Sequence, residues 1–119
     1  AISTPMPSAP QARKASPSAV DPVEALLERA DRARLTGHPS EAVAPLSEIM
    51  SRYPVDPRAS LAAFQLGRVL ADDLDDPARA AQAFDRARAL APAGPLESEA
   101  RARADEARRA ATARSGRAP

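Results

Sequence analysis

At 119 residues the chain is at most one small domain, near the low end for a core that folds alone. Hydrophobic residues make up 44% of it but aromatics only 3%, so alanine and leucine must do the packing, which favours close-packed helices over sheets. A net charge of +1 gives no long-range field for nucleic acid or membrane, and the lack of Cys rules out disulfides and thiolate sites. No apolar run nears the ~20 residues that cross a bilayer. The basic residues include a single Lys, Lys14, and that Arg bias reads as coding bias as much as selection for guanidinium chemistry.

In chain order, residues 1–20 come first, with prolines at 5, 7, 10 and 17 among Ser and Ala. They cannot form a continuous helix and read as a disordered or polyproline-like linker, either a spacer or an incidental boundary. The chain starts at Ala1 with no basic-then-apolar signal segment, and reads as a fragment or processed product. Order is expected from 21 to 114, with 115–119 as a disordered tail. Asp21-Pro22 is a helix start: a carboxylate to accept an orphan N–H, then a proline with φ already set. The first helix carries Val23, Leu26, Leu27, Ala30 and Ala33 on one side and stops near Thr36-Gly37.

A second helix is predicted from Pro39, with Glu41 in its first turn and a face of Ala42, Val43, Leu46, Ile49 and Met50. Pro45 falls inside it, so a kink is expected there, with a break into two pieces as the rival outcome. Asp56-Pro57 is expected to start a third helix, in which Ala63, Leu66, Gly67 and Leu70 share a face. Asp76-Pro77 starts a fourth, with Ala80, Phe84 and Ala87 aligned. Small residues at 67 and 80 would let those two backbones approach, with Phe84 filling the space above. Gly94-Pro95 opens a fifth segment, Leu96 to about Arg114, whose small face is Ala100, Ala104, Ala107 and Ala111. From Leu96 to the chain end six arginines oppose four acids, and solvated pairs such as Glu97–Arg101 and Asp105–Arg109 account for them better than a nucleic-acid stripe.

Ala42, Leu46, Ile49 and Pro54 recur as Ala80, Phe84, Ala87 and Pro92, each 38 residues on. Such a period signals a stacked helical array. On Leu66-Gly67, Leu70, Ala80, Phe84, Ala87 and Pro92, and more loosely on Leu26, Ala30, Gly37, Ala42, Leu46 and Pro54, the chain resembles the tetratricopeptide repeat family. The resemblance implies an all-α, TPR-like solenoid of two helical hairpins plus a C-terminal capping helix. The repeat is four residues longer than the family's usual ~34, mostly between the hairpins and by one residue in 71–77. The Tyr53-Pro54-Val55-Asp56-Pro57-Arg58-Ala59 connection is similar to extracytoplasmic bacterial members. These are the periplasmic protein of the Tol-Pal system, outer-membrane assembly lipoproteins and the repeat tails of FecR-like sigma-factor regulators. A periplasmic or envelope location is the expectation, with the cytoplasm as the alternative.

No catalytic constellation is present, and the expectation is a non-enzyme without cofactor or metal. His38 has no second His or Cys to share an ion and reads as a helix-start residue. The run Asp72, Asp73, Asp75, Asp76 lacks the glycine and terminal glutamate of an EF-hand. The resemblance implies instead a concave groove for a peptide or partner helix. Its lining would be Glu24, Leu27, Asp31 and Arg34 from the first helix, and Leu61, Phe64, Arg68 and Asp72 from the third. Arg101 and Arg108 would come from the fifth. Phe64 could equally pack in the core. Arg34, Arg68 and Arg108 could fork around a carboxylate-bearing peptide or stand solvated. The expected partner is a protein or peptide, with self-association, a structural spacer or a regulator's repeat tail as alternatives.

Overall fold

A computed structural model describes residues 21–117, which are mostly helical, with no strand among them. Five α-helices follow one another: α1 (Pro22–Leu35), α2 (Val43–Arg52), α3 (Ala59–Arg68), α4 (Pro77–Leu90) and α5 (Glu97–Arg117). A 3-10 turn, Pro39–Ala42, leads into α2, and a π turn, Val69–Asp73, extends α3. Each helix packs chiefly on the next in sequence, giving two antiparallel couples and a final rod. The leader expected over 1–20 lies outside the described residues. The tail expected from 115 is helical as far as Arg117, since neither a proline nor a capping turn intervenes to stop it.

The starts of α1 and α4 follow from local chemistry. Asp21 accepts from the backbone N–H of Val23 at 2.9 Å, and Asp76 from that of Arg79 at 3.2 Å, each with proline in the first turn. Asp56-Pro57 does not start α3 directly. Asp56 instead accepts from the N–H of Arg58 at 2.8 Å inside a double turn, and the helix begins at Ala59. Pro45 produces the rival outcome, a division into two pieces. The chain runs as a 3-10 turn to Ala42, and Pro45 then occupies the third position of α2, where its missing N–H interrupts no bond.

The 38-residue period is written in the backbone bonds. Asp56 N–H donates to Tyr53 O at 3.1 Å and Gly94 N–H to Ala91 O at 3.0 Å, one period on. Ala59 to Asp56 (2.9 Å) is repeated by Glu97 to Gly94 (3.2 Å), and Ala62 to Arg58 (2.9 Å) by Ala100 to Leu96 (2.8 Å). The turns inside the hairpins match as well: Gly37 and Asp75, also 38 apart, are the two residues with positive φ among those described, at 83° and 56°. Gly37 takes that conformation at no steric cost, and Asp is among the few other residues that tolerate it.

The bodies of α1 and α3 keep a different register. Val23, Leu26, Ala30 and Ala33 correspond to Ala59, Ala62, Leu66 and Val69, all buried and 36 residues apart. The second hairpin therefore carries two more residues between helix body and turn. The π turn absorbs them: Leu74 N–H reaches back five residues to Val69 O at 2.9 Å, and Asp76 N–H six to Leu70 O at 2.7 Å.

One core runs through the couples. Phe84 is fully buried, its ring 5.3 Å from that of Phe64 in an edge-on arrangement. Gly67 lies beneath the ring, where an added Cβ would come within 2.6 Å of ring carbon. Buried Ser60 is satisfied by donating to Ala87 O at 3.0 Å, which ties α3 to α4.

Candidate functional site

The surfaces a partner could reach are organised by charge, so the ion pairs define them first. α1 and α3 are joined at both ends. Arg58 Nη1 lies 2.7 Å from Asp21 Oδ2 at their N-terminal ends, and Arg34 Nε donates to Asp73 Oδ2 at 3.1 Å at their C-terminal ends. Start-to-start and end-to-end pairs make the two helices run side by side in one direction. Arg58 also donates to Asp56 at 3.0 and 2.9 Å. Those contacts hold the Asp56 and Asp21 carboxyls below their ordinary value of 3.8, Arg58's hydrogen bond being the largest cause for each.

The acidic turn after α3 is the junction of the whole frame. Asp73 takes Arg34 of α1. Its neighbour Asp72 takes Arg103 of α5 at 3.0 Å, and Asp75 takes Arg114 of α5. Asp76 caps α4. The four carboxylates thus serve separate partners, and none converges on a common centre. Among the described residues no group of three or more His, Cys, Asp or Glu could hold a metal ion. His38 is exposed, its Nδ1 3.4 Å from the Thr36 hydroxyl.

Five of the ten groove residues expected from the resemblance line three separate hollows. Asp31 and Arg34 line a hollow of about 680 Å³ with Leu35, Gly37, Pro39 and Asp73. Asp72 lines a smaller one, about 160 Å³, under the middle of α5. Arg101 and Arg108 turn away from α3 and line a third, about 610 Å³, between α4 and α5. There Arg108 donates to Asp85 at 2.8 Å and to Asp105 at 2.6 Å, and Arg101 to Glu97 at 2.7 Å. The Arg101 bond holds Glu97 below its ordinary carboxylate value, and the Asp105 bond raises Arg108. So Arg101 and Arg108 belong to the α4–α5 seam, because α5 turns its 97–101–108 edge to α4 and its 103–114 edge to the acidic turn after α3.

Phe64 is not a contact surface: at 5% exposure it is spent on Phe84. Arg34 and Arg108 are committed to aspartates, so of the three arginines expected to fork around a carboxylate only Arg68 is without an ion pair among the described residues. Glu97–Arg101 forms as expected, whereas Asp105 pairs with Arg108, three residues on, in place of Arg109. Glu24 and Asp31 are exposed, Leu27 is half-buried and Leu61 sits at 36% exposure. Sequence reasoning missed Asp73, Arg103, Arg114 and Arg58 as seam residues. A signal was present, since Arg34/Asp73 and Asp75/Arg114 are opposite charges 39 residues apart, close to one repeat period.

Comparison with protein-family models, curated proteins and solved structures finds no match. No described helix is long and apolar enough to cross a membrane.

Proposed function

We propose that the chain is a non-catalytic docking module, a TPR-like array whose α1–α3 face receives a peptide or helix from another protein. The observation that carries this reading is the contrast between two faces. On the α4–α5 face Asp85, Arg88, Glu97, Arg101 and Arg108 are linked in one chain of ion pairs. On the α1–α3 face Glu24, Asp31 and Arg68 are exposed and in no ion pair among the described residues, around partly exposed Leu27 and Leu61. Uncommitted charges beside apolar side chains suit recognition, because a partner need not break existing pairs to engage them. The ion-paired seams supply the rigid support that a docking face requires.

Self-association is the second reading, and the ends of the array argue against it. The outer side of α5 is polar or small (Ser98, Ala102, Asp105, Arg109, Thr112), and the opposite end presents Arg29, Arg32 and Glu41. A docking module should scatter light as a monomer at every concentration, and a self-association element should dimerise as concentration rises. Affinity capture tests the face. The combined Glu24→Arg, Asp31→Arg and Arg68→Glu variant should lose a partner that Arg101→Glu with Arg108→Glu retains; the reverse pattern overturns the assignment. On the resemblance of the 53–59 connection we read this docking as that of a bacterial envelope protein, and fractionation of cells with a tagged chain tests that.

A further inference from the structure

Helix α5 is held differently from the other four. Val23 and Leu26 bury α1, Leu46 and Ile49 bury α2, Phe64 and Leu66 bury α3, and Phe84 buries α4. On α5 the buried side chains are Ala100, Ala104 and Ala107, and after Leu96 the chain has no Val, Leu, Ile, Met or aromatic residue. A methyl group removes only a fraction of the area from water that a leucine or phenylalanine does. In its place α5 has charge. Arg103–Asp72 at 3.0 Å and Arg114–Asp75 tie it to the acidic turn after α3, and Arg108–Asp85 at 2.8 Å and Arg88–Glu97 at 3.2 Å tie it to α4. These pairs are partly exposed, so salt screens them. What lies beneath is the best-buried aromatic of the protein: the Arg103 guanidinium sits 5.1 Å from the centre of the Phe84 ring.

We propose that α5 is a charge-latched lid over Phe84, which opens as a unit ahead of α1–α4 and does so more readily as ionic strength rises. The hinge is the 91–96 turn, where Gly94 N–H to Ala91 O at 3.0 Å is a local bond that survives opening. This device is independent of which partner the α1–α3 face takes.

Native-state hydrogen exchange on the full chain tests the lid, read between about 0.01 and about 1 M salt, over which the Debye length falls from about 30 to about 3 Å. Amides of α5 should exchange faster than those of α4 at low salt and gain about a further ten-fold at high salt, while α1–α4 amides change little. A thiol introduced by Ala104→Cys should label in step with α5 exchange, and one introduced by Ala62→Cys should not. In the combined Arg103→Gln, Arg108→Gln and Arg114→Gln variant, α5 should exchange fast at every salt concentration with α1–α4 still protected. Equal exchange of α5 and α4, a salt-independent α5, or loss of protection throughout α1–α4 in the variant would each overturn the lid.

Discussion

Gly67→Ala puts the packing of Phe84 to its sharpest test, because two effects of opposite sign meet at one atom. In an unobstructed helix interior, replacing glycine by alanine stabilises by about 1 kcal/mol. Here the new Cβ would stand 2.6, 2.7 and 2.8 Å from three carbons of the Phe84 ring, against the roughly 3.5–4.0 Å that carbon pairs prefer. The ring must retreat by about 1 Å, and it has nowhere to go. It is fully buried, with Phe64 at 5.3 Å on one side and the Arg103 guanidinium at 5.1 Å on another. Overpacking of a rigid ring falls at the upper end of its range, about 3 kcal/mol, so the net expectation is about 2 kcal/mol of destabilisation. For a domain of this size that lowers the thermal midpoint by about 10 °C, measurable by circular dichroism at 222 nm. A double-mutant cycle isolates the cause: once Phe84→Leu has removed the ring, adding Gly67→Ala should be neutral or stabilising. If Gly67→Ala alone leaves the midpoint unchanged or raises it, the ring does not rest on this glycine and the registration of α3 against α4 is wrong.

Phe84→Ala itself should cost about 3–5 kcal/mol in urea unfolding, a large share of what a small domain has. Ser60→Ala removes the side-chain bond to Ala87 O and should cost about 1 kcal/mol by the same measurement, whereas Ser51→Ala on the exposed side of α2 should cost almost nothing. Gly37→Ala forces a Cβ into positive φ and should destabilise by about 1–2 kcal/mol, with no clash to blame because the site is open. The Asp21 and Asp56 carboxyls lie lower in the folded state than in the unfolded chain, so their contribution is complete above the unfolded value near pH 4. It is lost as pH falls through the lowered folded values. The thermal midpoint should therefore stay level from pH 7 to about 5 and drop below about 4, and Arg58→Met should flatten that acid limb while leaving the level part level.

What could be read from residues alone was whatever depends on near neighbours along the chain. Asp21 and Asp76 reach backbone N–H groups two or three residues away, so those caps were visible as Asp-Pro pairs. The inward rows Leu66–Gly67–Leu70 and Ala80–Phe84–Ala87 follow from the helical repeat, and the 38-residue period announced a second copy of the same hairpin. Even Pro45 was half legible: its chemistry demanded an interruption, but whether by kink or by a 3-10 lead-in depended on how the preceding turn closed. Tertiary structure decided the rest. Which carboxylate of Asp72, Asp73 and Asp75 meets which arginine depends on a π turn that shifts the register of α3, and on partners 31 to 39 residues distant. Phe64 could have faced outward until Phe84 was placed beside it, and Arg101 and Arg108 looked like groove residues until the roll of α5 about its own axis was set. Helix formation and capping are short-range, so they leave marks in adjacent letters. The roll of one helix against another is chosen by packing and charge across the whole domain, and a stripe of identical alanines on α5 leaves that choice unmarked in the sequence.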